Sequence, residues 1–272
     1  SDQVERIEII RGTSGELDVR GSGQVINVVL NEQFSTSSFQ YDFGVEQSPD
    51  NTLKPRGELS YSGQIDGLDF QVSARGYDPL FYTESREYSM LGDFSPNDSV
   101  FEIRRRDPRG GGLSTNLDYE IDSSSSARFN ATWTEGTHTG NTQRKTTDLK
   151  VVPSIDTFQT ETSPGIYKNW EIGGDYEFNT QAGSRWKILF ISNSLERGET
   201  RERFDVLGQN LKRKNLFLDS WSEAKERIVR GSYTFNIFDA QDIEIGAERA
   251  QTILDSKLAL GVFSTTGIAS PM

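Results

Sequence analysis

The amino-acid sequence predicts a mainly β protein whose strands form part of a transmembrane antiparallel β-barrel. Apolar and polar residues alternate with a two-residue period over most of residues 34–263, which is typical of strands with one apolar and one solvated face. Short and long connections also alternate along this region. Hydrophobic residues make up only 33% of the chain while aromatic residues make up 11%, and this mix favours many half-buried strands over a thick core.

The alternating segments predict the individual strands. In the first of them, Phe39, Tyr41, Phe43 and Val45 take one face and polar residues take the other. The same pattern recurs along the chain. The further apolar sets are Leu68, Phe70, Val72 and Ala74; Leu113, Leu117, Tyr119 and Ile121; Ala127, Phe129, Ala131 and Trp133; Trp170, Ile172, Tyr176 and Phe178; and Val229, Tyr233, Phe235 and Ile237.

The connections between these segments indicate a membrane barrel. Short turn signals are predicted at 66–67, 122–126, 179–183 and 239–242, and long connections at about 47–56, 77–112, 136–166 and 197–225. Outer-membrane barrels have short periplasmic turns and long extracellular loops. The count is about nine strands of some ten residues, the length that crosses a bilayer. Trp133, Trp170, Trp186 and Tyr176 are predicted to lie in aromatic girdles, and an ordinary sandwich core is the alternative for them.

Residues 1–33 have a different pattern of apolar residues: two apolar stretches are separated by a segment that contains glycines. Val4–Gly12 reads VERIEIIRG, and Gly21–Leu30 reads GSGQVINVVL. We predict a strand, a turn-rich connection and a second strand. In order and spacing, the two stretches resemble the closing motif of the plug domain in TonB-dependent outer-membrane receptors, where the chain then enters the first barrel strand.

The resemblance implies a domain organisation and a function. Residues 1–33 are expected to be the C-terminal part of a plug domain, and residues 34–272 the N-terminal part of a barrel that has 22 strands in the family. Since about nine strands cannot enclose a plug, we expect a partial chain. The implied function is TonB-energised uptake of a siderophore, a corrinoid or an oligosaccharide across the bacterial outer membrane, with TonB contacting a segment outside this chain.

The polar face of the predicted strands is rich in carboxylates and would line the barrel interior. Its acidic residues are Asp118, Glu120, Glu171, Asp175, Glu177, Glu244 and Glu248. In the family, plug arginines pair with barrel glutamates, and Arg11 stands on the matching motif position. We therefore predict plug–barrel ion pairs that involve Arg11, Arg20, Glu171 and Glu248. The alternative is a wall of carboxylates that simply stay solvated.

Basic clusters fall in the predicted extracellular connections. They are Arg104, Arg105, Arg106 and Arg109, then Arg201 and Arg203, then Lys212, Arg213 and Lys214. Contact with lipopolysaccharide phosphates or an anionic ligand is one interpretation, and a solvated loop is the other. Gly110–Gly112 is predicted to open a strand, so it does not form a phosphate-binding loop.

Composition excludes several other classes of protein. The net charge of −12 gives no basis for nucleic-acid binding, and the absence of cysteine excludes disulfides and thiolate sites. No apolar run is long enough for a membrane-spanning helix. The single histidine, His138, is expected in a long loop, where it provides neither a zinc site nor a catalytic triad. We therefore expect no enzyme activity and no cofactor. The rival functions are a β-rich surface adhesin without transport activity and a β-sandwich or solenoid hydrolase.

Overall fold

The computed structural model describes residues 4–11, 24–30, 37–48, 51–208, 211–238 and 241–261, which form twelve strands and no helix. The first two strands, β1 (Val4–Arg11) and β2 (Gln24–Leu30), pair antiparallel as a two-stranded sheet. Both strands fall on the apolar stretches from which they were predicted. The connection between them, which contains Arg20, lies outside the described residues, and so do the side chains of residues 1–36, including Arg11.

The other ten described strands form one antiparallel sheet. Nine of them are neighbours in chain order, apart from β6, which pairs with the first part of β7 beside the path. The strands are β3 (Ser38–Gln47), β4 (Leu53–Ile65), β5 (Leu68–Tyr77), β6 (Phe81–Met90), β7 (Pro96–Asp122), β8 (Ser125–Asp148), β9 (Ile155–Asn179), β10 (Arg185–Gly208), β11 (Leu211–Phe238) and β12 (Gln241–Gly261). The antiparallel all-β class is confirmed. Among the described residues the sheet is open, with β3 and β12 at its edges.

The predicted short turns are confirmed where the structure describes them. Asp66 and Gly67 join β4 to β5, both with positive φ angles of 49° and 79°, as a two-residue hairpin turn requires. Residues 123–124 join β7 to β8, and residues 180–184 join β9 to β10. The fourth predicted turn contains residues 239–240, which lie outside the described residues.

The predicted long connections are wrong for most of their length. The segment 77–112 contains β6 and more than half of β7, 136–166 contains the ends of β8 and β9, and 197–225 contains the ends of β10 and β11. His138 and Gly110–Gly112 therefore lie inside strands, not in a loop or at a strand start. In β8 the residues of this end are polar on both faces, and in β11 the apolar residues Leu216, Phe217 and Leu218 are consecutive. The alternation of apolar and polar residues that predicts a strand is therefore missing there.

The large sheet is a single layer. Leu80 is the only buried apolar side chain among those described, and most of the large apolar side chains are more than a third exposed. Water-soluble β proteins bury one face of each sheet against a second layer. Among the residues that the structure describes, no second layer covers the apolar face of this sheet.

Candidate functional site

Apolar side chains from nine neighbouring strands lie on the same face of the large sheet. The backbone register brings these side chains into adjacent rows. We call the set the apolar belt. It consists of Phe39, Tyr41, Phe43 and Val45 on β3; Leu59, Tyr61 and Ile65 on β4; Leu68, Phe70, Val72 and Ala74 on β5; Leu113, Leu117, Tyr119 and Ile121 on β7; Ala127, Phe129, Ala131 and Trp133 on β8; Trp170, Ile172, Tyr176 and Phe178 on β9; Trp186, Ile188 and Phe190 on β10; Val229, Tyr233 and Phe235 on β11; and Ile243, Ile245 and Ala247 on β12.

The belt runs obliquely to the hydrogen-bonded rows of the sheet. One such row passes through Tyr41 on β3, Trp170 on β9 and Ile253 on β12. On β3 the belt continues four residues beyond this row to Val45, whereas on β12 it stops six residues short of it, at Ala247. From β4 to β9 the belt border stays on this row, at Leu59, Ala74, Leu113, Trp133 and Trp170. The net shift is ten residues over eight strand-to-strand steps, and it occurs towards the two ends of the sheet.

This shift defines an angle between the strands and the belt. At about 3.3 Å per residue, ten residues correspond to roughly 33 Å along the strands, and eight steps correspond to roughly 38 Å across them. Averaged from β3 to β12, the belt is therefore perpendicular to an axis from which the strands are tilted by about 41°. On β9 the belt extends from Trp170 to Phe178, which is about 26 Å along the strand. Projected onto the axis from which the strands are tilted, this length gives a belt height of about 20 Å.

Three tryptophans lie at the two borders of the belt. Trp133 and Trp170 are register partners at one border. At the other border, the rings of Trp186 and Tyr233 lie 4.3 Å apart, and Trp186 encloses a shallow apolar depression together with Tyr176, Phe178 and Ile188. All four aromatic residues predicted for girdles lie on the belt face, with Tyr176 one row inside the border.

The opposite face of these strands is polar and acidic. Register places all seven carboxylates predicted for the barrel interior on this face. Arg128 lies between Asp118 and Asp175, its partners on the two adjacent strands. Its Nη2 atom is 2.9 Å from Oδ1 of Asp175, and its Nε atom also donates to this carboxylate. The fork geometry holds the two strands together through a charge-assisted contact.

The residues predicted for plug–barrel ion pairs are only partly placed. Glu171 is half-buried on β9, opposite Asn193 and Thr132, and Glu248 is exposed on β12, opposite Arg230. Both face the side opposite to the belt. Since the side chains of Arg11 and Arg20 lie outside the described residues, these ion pairs stay a prediction.

Five strands continue far beyond the belt. We call this part the polar extension; it consists of 96–111 of β7, 135–148 of β8, 155–168 of β9, 192–208 of β10 and 211–227 of β11, together with β6. The segment on β8 alone is about 45 Å long at 3.3 Å per residue. The segments on β8 and β9 are rich in threonine, a β-branched residue that favours strands.

The predicted arginine cluster on β7 lies in the polar extension but does not form one site. Consecutive residues of a strand point to opposite faces, so Arg104 and Arg106 are separated from Arg105 and Arg109. The cluster is also partly neutralised by acidic neighbours. Arg104 and Arg144 both pair with the buried carboxylate of Glu102. Nε of Arg105 lies 3.1 Å from Oδ2 of Asp107, and Nε of Arg109 lies 3.9 Å from Oδ1 of Asp78.

Three of the five basic residues predicted as clusters on β10 and β11 pair with carboxylates, and Nε of Arg203 donates a hydrogen bond to Oδ1 of Asn215. Arg201 lies 2.7 Å from Glu161, and Lys214 pairs with Glu202. Arg213 lies 3.1 Å from Asp205. Partial burial raises the pKa of Asp205, but hydrogen bonds from Gln159, Arg213 and Asn215 outweigh it and lower the pKa overall. Sequence inspection missed this network because the partners lie on different strands.

The single histidine lies within the polar extension. His138 Nε2 is 3.4 Å from Oε2 of Glu199, two strands away, without hydrogen-bond geometry. Gly165 on the intervening strand allows this approach, since a Cβ there would clash with the imidazole ring. Over the described part of the chain, no group of three His, Cys, Asp or Glu residues is placed to hold a metal. The same residues include no helix that is long and apolar enough to cross a membrane.

Comparison with known proteins gives no family assignment. No family model matches the chain, and no curated protein matches it significantly. The similarity to TonB-dependent receptors therefore depends on the two short stretches within residues 4–30.

Proposed function

We propose that this chain is part of an outer-membrane transporter of the TonB-dependent kind, which takes up a scarce nutrient. In this proposal the large sheet is one sector of a barrel wall, the apolar belt faces lipid, and the acidic face lines the interior. The two-stranded sheet of β1 and β2 is the end of the plug. TonB supplies the energy through a segment outside this chain.

The observation that carries the membrane part of the proposal is the oblique belt. Strands of outer-membrane barrels are tilted by about 35–45° and carry an apolar band about 25 Å tall with aromatic girdles. The average tilt of about 41°, worked from register and strand rise, lies in this range, and the height of about 20 Å is close to that of the band. A soluble sandwich needs no such slope, because its apolar face follows the strand pairing and meets a second sheet.

The position of the polar extension supports an orientation. At one end of the large sheet the strands turn back close to the belt, at 66–67, 123–124 and 180–184, whereas at the other end five strands continue far beyond it. Short turns are periplasmic in outer-membrane barrels, so the polar extension is assigned to the cell exterior. There it offers rigid hydrogen-bonding strands for the first contact with a ligand.

The class of cargo in this proposal is a nutrient too large for porins: a ferric siderophore, a corrinoid or an oligosaccharide. Ligand capture outside is followed by rearrangement of the plug, which is released from the wall when ion pairs at the plug–wall interface break. The acidic interior face gives the carboxylates for such pairs, and Arg11 is the plug partner that the resemblance implies.

The proposal is tested with the complete gene in a Gram-negative host. We expect the full-length protein in the outer-membrane fraction, with a mobility on denaturing gels that changes on heating, as folded barrels show. Uptake of one labelled ligand from the three classes is expected in wild-type cells and is expected to be lost in a host that lacks TonB. A protein that remains in the soluble fraction contradicts the membrane assignment, and uptake that is equal without TonB contradicts the energy source.

A further inference from the structure

Two arginines lie on the belt face where the belt ends. Arg227 on β11 and Arg249 on β12 occupy the belt side of their strands, because each is an even number of residues from a belt residue. Arg249 is the register partner of Val229, the last belt residue on β11, and Arg227 is the next residue on this face. Both side chains are exposed. Diagonal neighbours of this kind have Cα atoms roughly 7–8 Å apart.

These two guanidinium groups have no acidic partner among the residues that the structure describes. The other cation nearby, Lys225, differs in this respect, since its Nζ lies 2.8 Å from Glu223. The register partner of Arg227 on the other side is Ser192, which adds a hydroxyl group to the same surface. Two adjacent fixed positive charges and a hydroxyl group favour an anion with several acceptor oxygens.

The surroundings specify the kind of anion. The row next to that of Arg227, on the same face and towards the centre of the belt, contains Phe190 and Val229, whose side chains are 39% and 57% exposed. Ile172 of β9 is the register partner of Ser192 and lies in the same row, on the neighbouring strand. The surface therefore combines an anion-binding edge with an apolar surface immediately under it, which suits a molecule with an anionic head and an acyl chain.

We propose that Arg227, Arg249 and Ser192 bind the phosphate group of a membrane lipid in the leaflet next to the polar extension. This inference rests on the proposed function, because it requires the belt to face lipid. The acyl chains lie along Phe190, Val229 and Ile172, while the phosphate bridges the two guanidinium groups. The site is distinct from the arginine cluster of β7, whose members pair with carboxylates.

The test uses the full-length protein in a neutral detergent. Short-chain phosphatidic acid, short-chain phosphatidylcholine and inorganic phosphate are titrated separately, and native mass spectrometry counts the bound molecules. The variants are Arg227→Gln, Arg249→Gln and the double substitution. The matched control is Lys212→Gln, which removes an exposed positive charge from the polar extension, far from the belt. Arg227→Lys tests the requirement for the guanidinium fork.

We expect wild-type protein to prefer phosphatidic acid over phosphatidylcholine by at least about tenfold, the effect of one hydrogen bond to a charged group. The double substitution is expected to abolish this preference, Arg227→Lys to restore part of it, and Lys212→Gln to leave it unchanged. Equal binding of the two lipids by wild-type protein overturns the inference, and so does inorganic phosphate that competes at the same concentration as the lipid.

The failure of this inference is distinguishable from failure of the proposed function. The mobility change on heating reports barrel folding for each variant and for the wild-type protein. A wild-type protein that folds in the membrane but shows no preference for phosphate lipid disproves the lipid site alone. A protein that does not insert disproves both.

Discussion

Substitution of Leu117 by arginine tests whether the apolar belt faces lipid. Leu117 lies at the centre of the belt on β7, four residues from Leu113 at one border and four from Ile121 at the other. Four residues are about 13 Å along the strand, or about 10 Å in depth at the inferred tilt. An arginine at mid-depth of the lipid face costs about 2–4 kcal/mol of folding free energy, and one near the interface costs about 0–1 kcal/mol. We therefore expect a gradient between Leu117→Arg and Leu113→Arg.

The matched control lies on the same strand at the same depth. Asn116 is exposed on the opposite face, two residues from the carboxylate of Asp118, so Asn116→Arg is expected to change stability by less than about 1 kcal/mol. The assay is reversible unfolding by guanidinium chloride of full-length protein folded into phospholipid vesicles, followed by tryptophan fluorescence. Equal costs for Leu117→Arg and Asn116→Arg would refute the assignment of the two faces, and equal costs at Leu117 and Leu113 would refute the depth.

Two further predictions concern the polar extension. Glu102→Gln leaves Arg144 without the buried carboxylate that it contacts, and we expect a local loss of roughly 2–3 kcal/mol, seen as faster hydrogen exchange in β7 and β8 but not in the belt. Hydrogen bonds from the side chain and backbone of Ser95 lower the pKa of Asp93. This contribution to the β6–β7 turn is complete above the ordinary pKa of about 4 and is lost as the pH falls through the lowered folded-state value. The amide chemical shift of Ser95 should follow that titration in wild-type protein and lose it in Asp93→Ala. Unchanged hydrogen exchange in Glu102→Gln would contradict the role of the Glu102–Arg144 contact. The same titration of Ser95 in Asp93→Ala and wild-type protein would contradict the Asp93–Ser95 contact.

The membrane-height part of the strands could be predicted from the sequence because it has two contrasting faces. Phe129, Ala131 and Trp133 alternate with Arg128 and polar residues, and this two-residue contrast is the signal for a half-buried strand. The short turns were equally predictable, since Asp66 and Gly67 have the backbone freedom that a two-residue turn requires.

The polar extension could not be predicted from the same signal. Between Thr137 and Thr147, both faces of β8 carry polar side chains, so no contrast separates a strand from a loop. These strand ends are specified by backbone pairing with neighbouring strands and by contacts such as Arg201 with Glu161, which join residues far apart in the chain. The slope of the belt also requires the register across nine strands, which no single segment contains.

The placement of Arg227 and Arg249 illustrates the same limit. In the sequence, each is one charged residue among many in its strand. Register alone shows that they are neighbours at the end of the belt and that Ser192 lies beside them. The ion pairs predicted for Arg11 and Arg20 depend in the same way on a spatial relation that the sequence does not contain.

The most direct test of the lipid-facing belt is a site-directed spin-label scan of β9 from Trp170 to Phe178, in full-length protein reconstituted into vesicles. This chain contains no cysteine, so a single cysteine introduced into it is a unique labelling site once any cysteine elsewhere in the full-length protein is replaced. Collision rates with oxygen, which concentrates in lipid, and with a water-soluble nickel chelate are measured at all nine positions. The belt predicts an oxygen preference at even-numbered positions such as Ile172 and Tyr176, and a nickel preference at odd-numbered positions such as Glu171 and Asp175. Equal collision rates of both sets with the nickel chelate would contradict the assignment of the belt to the lipid-facing side.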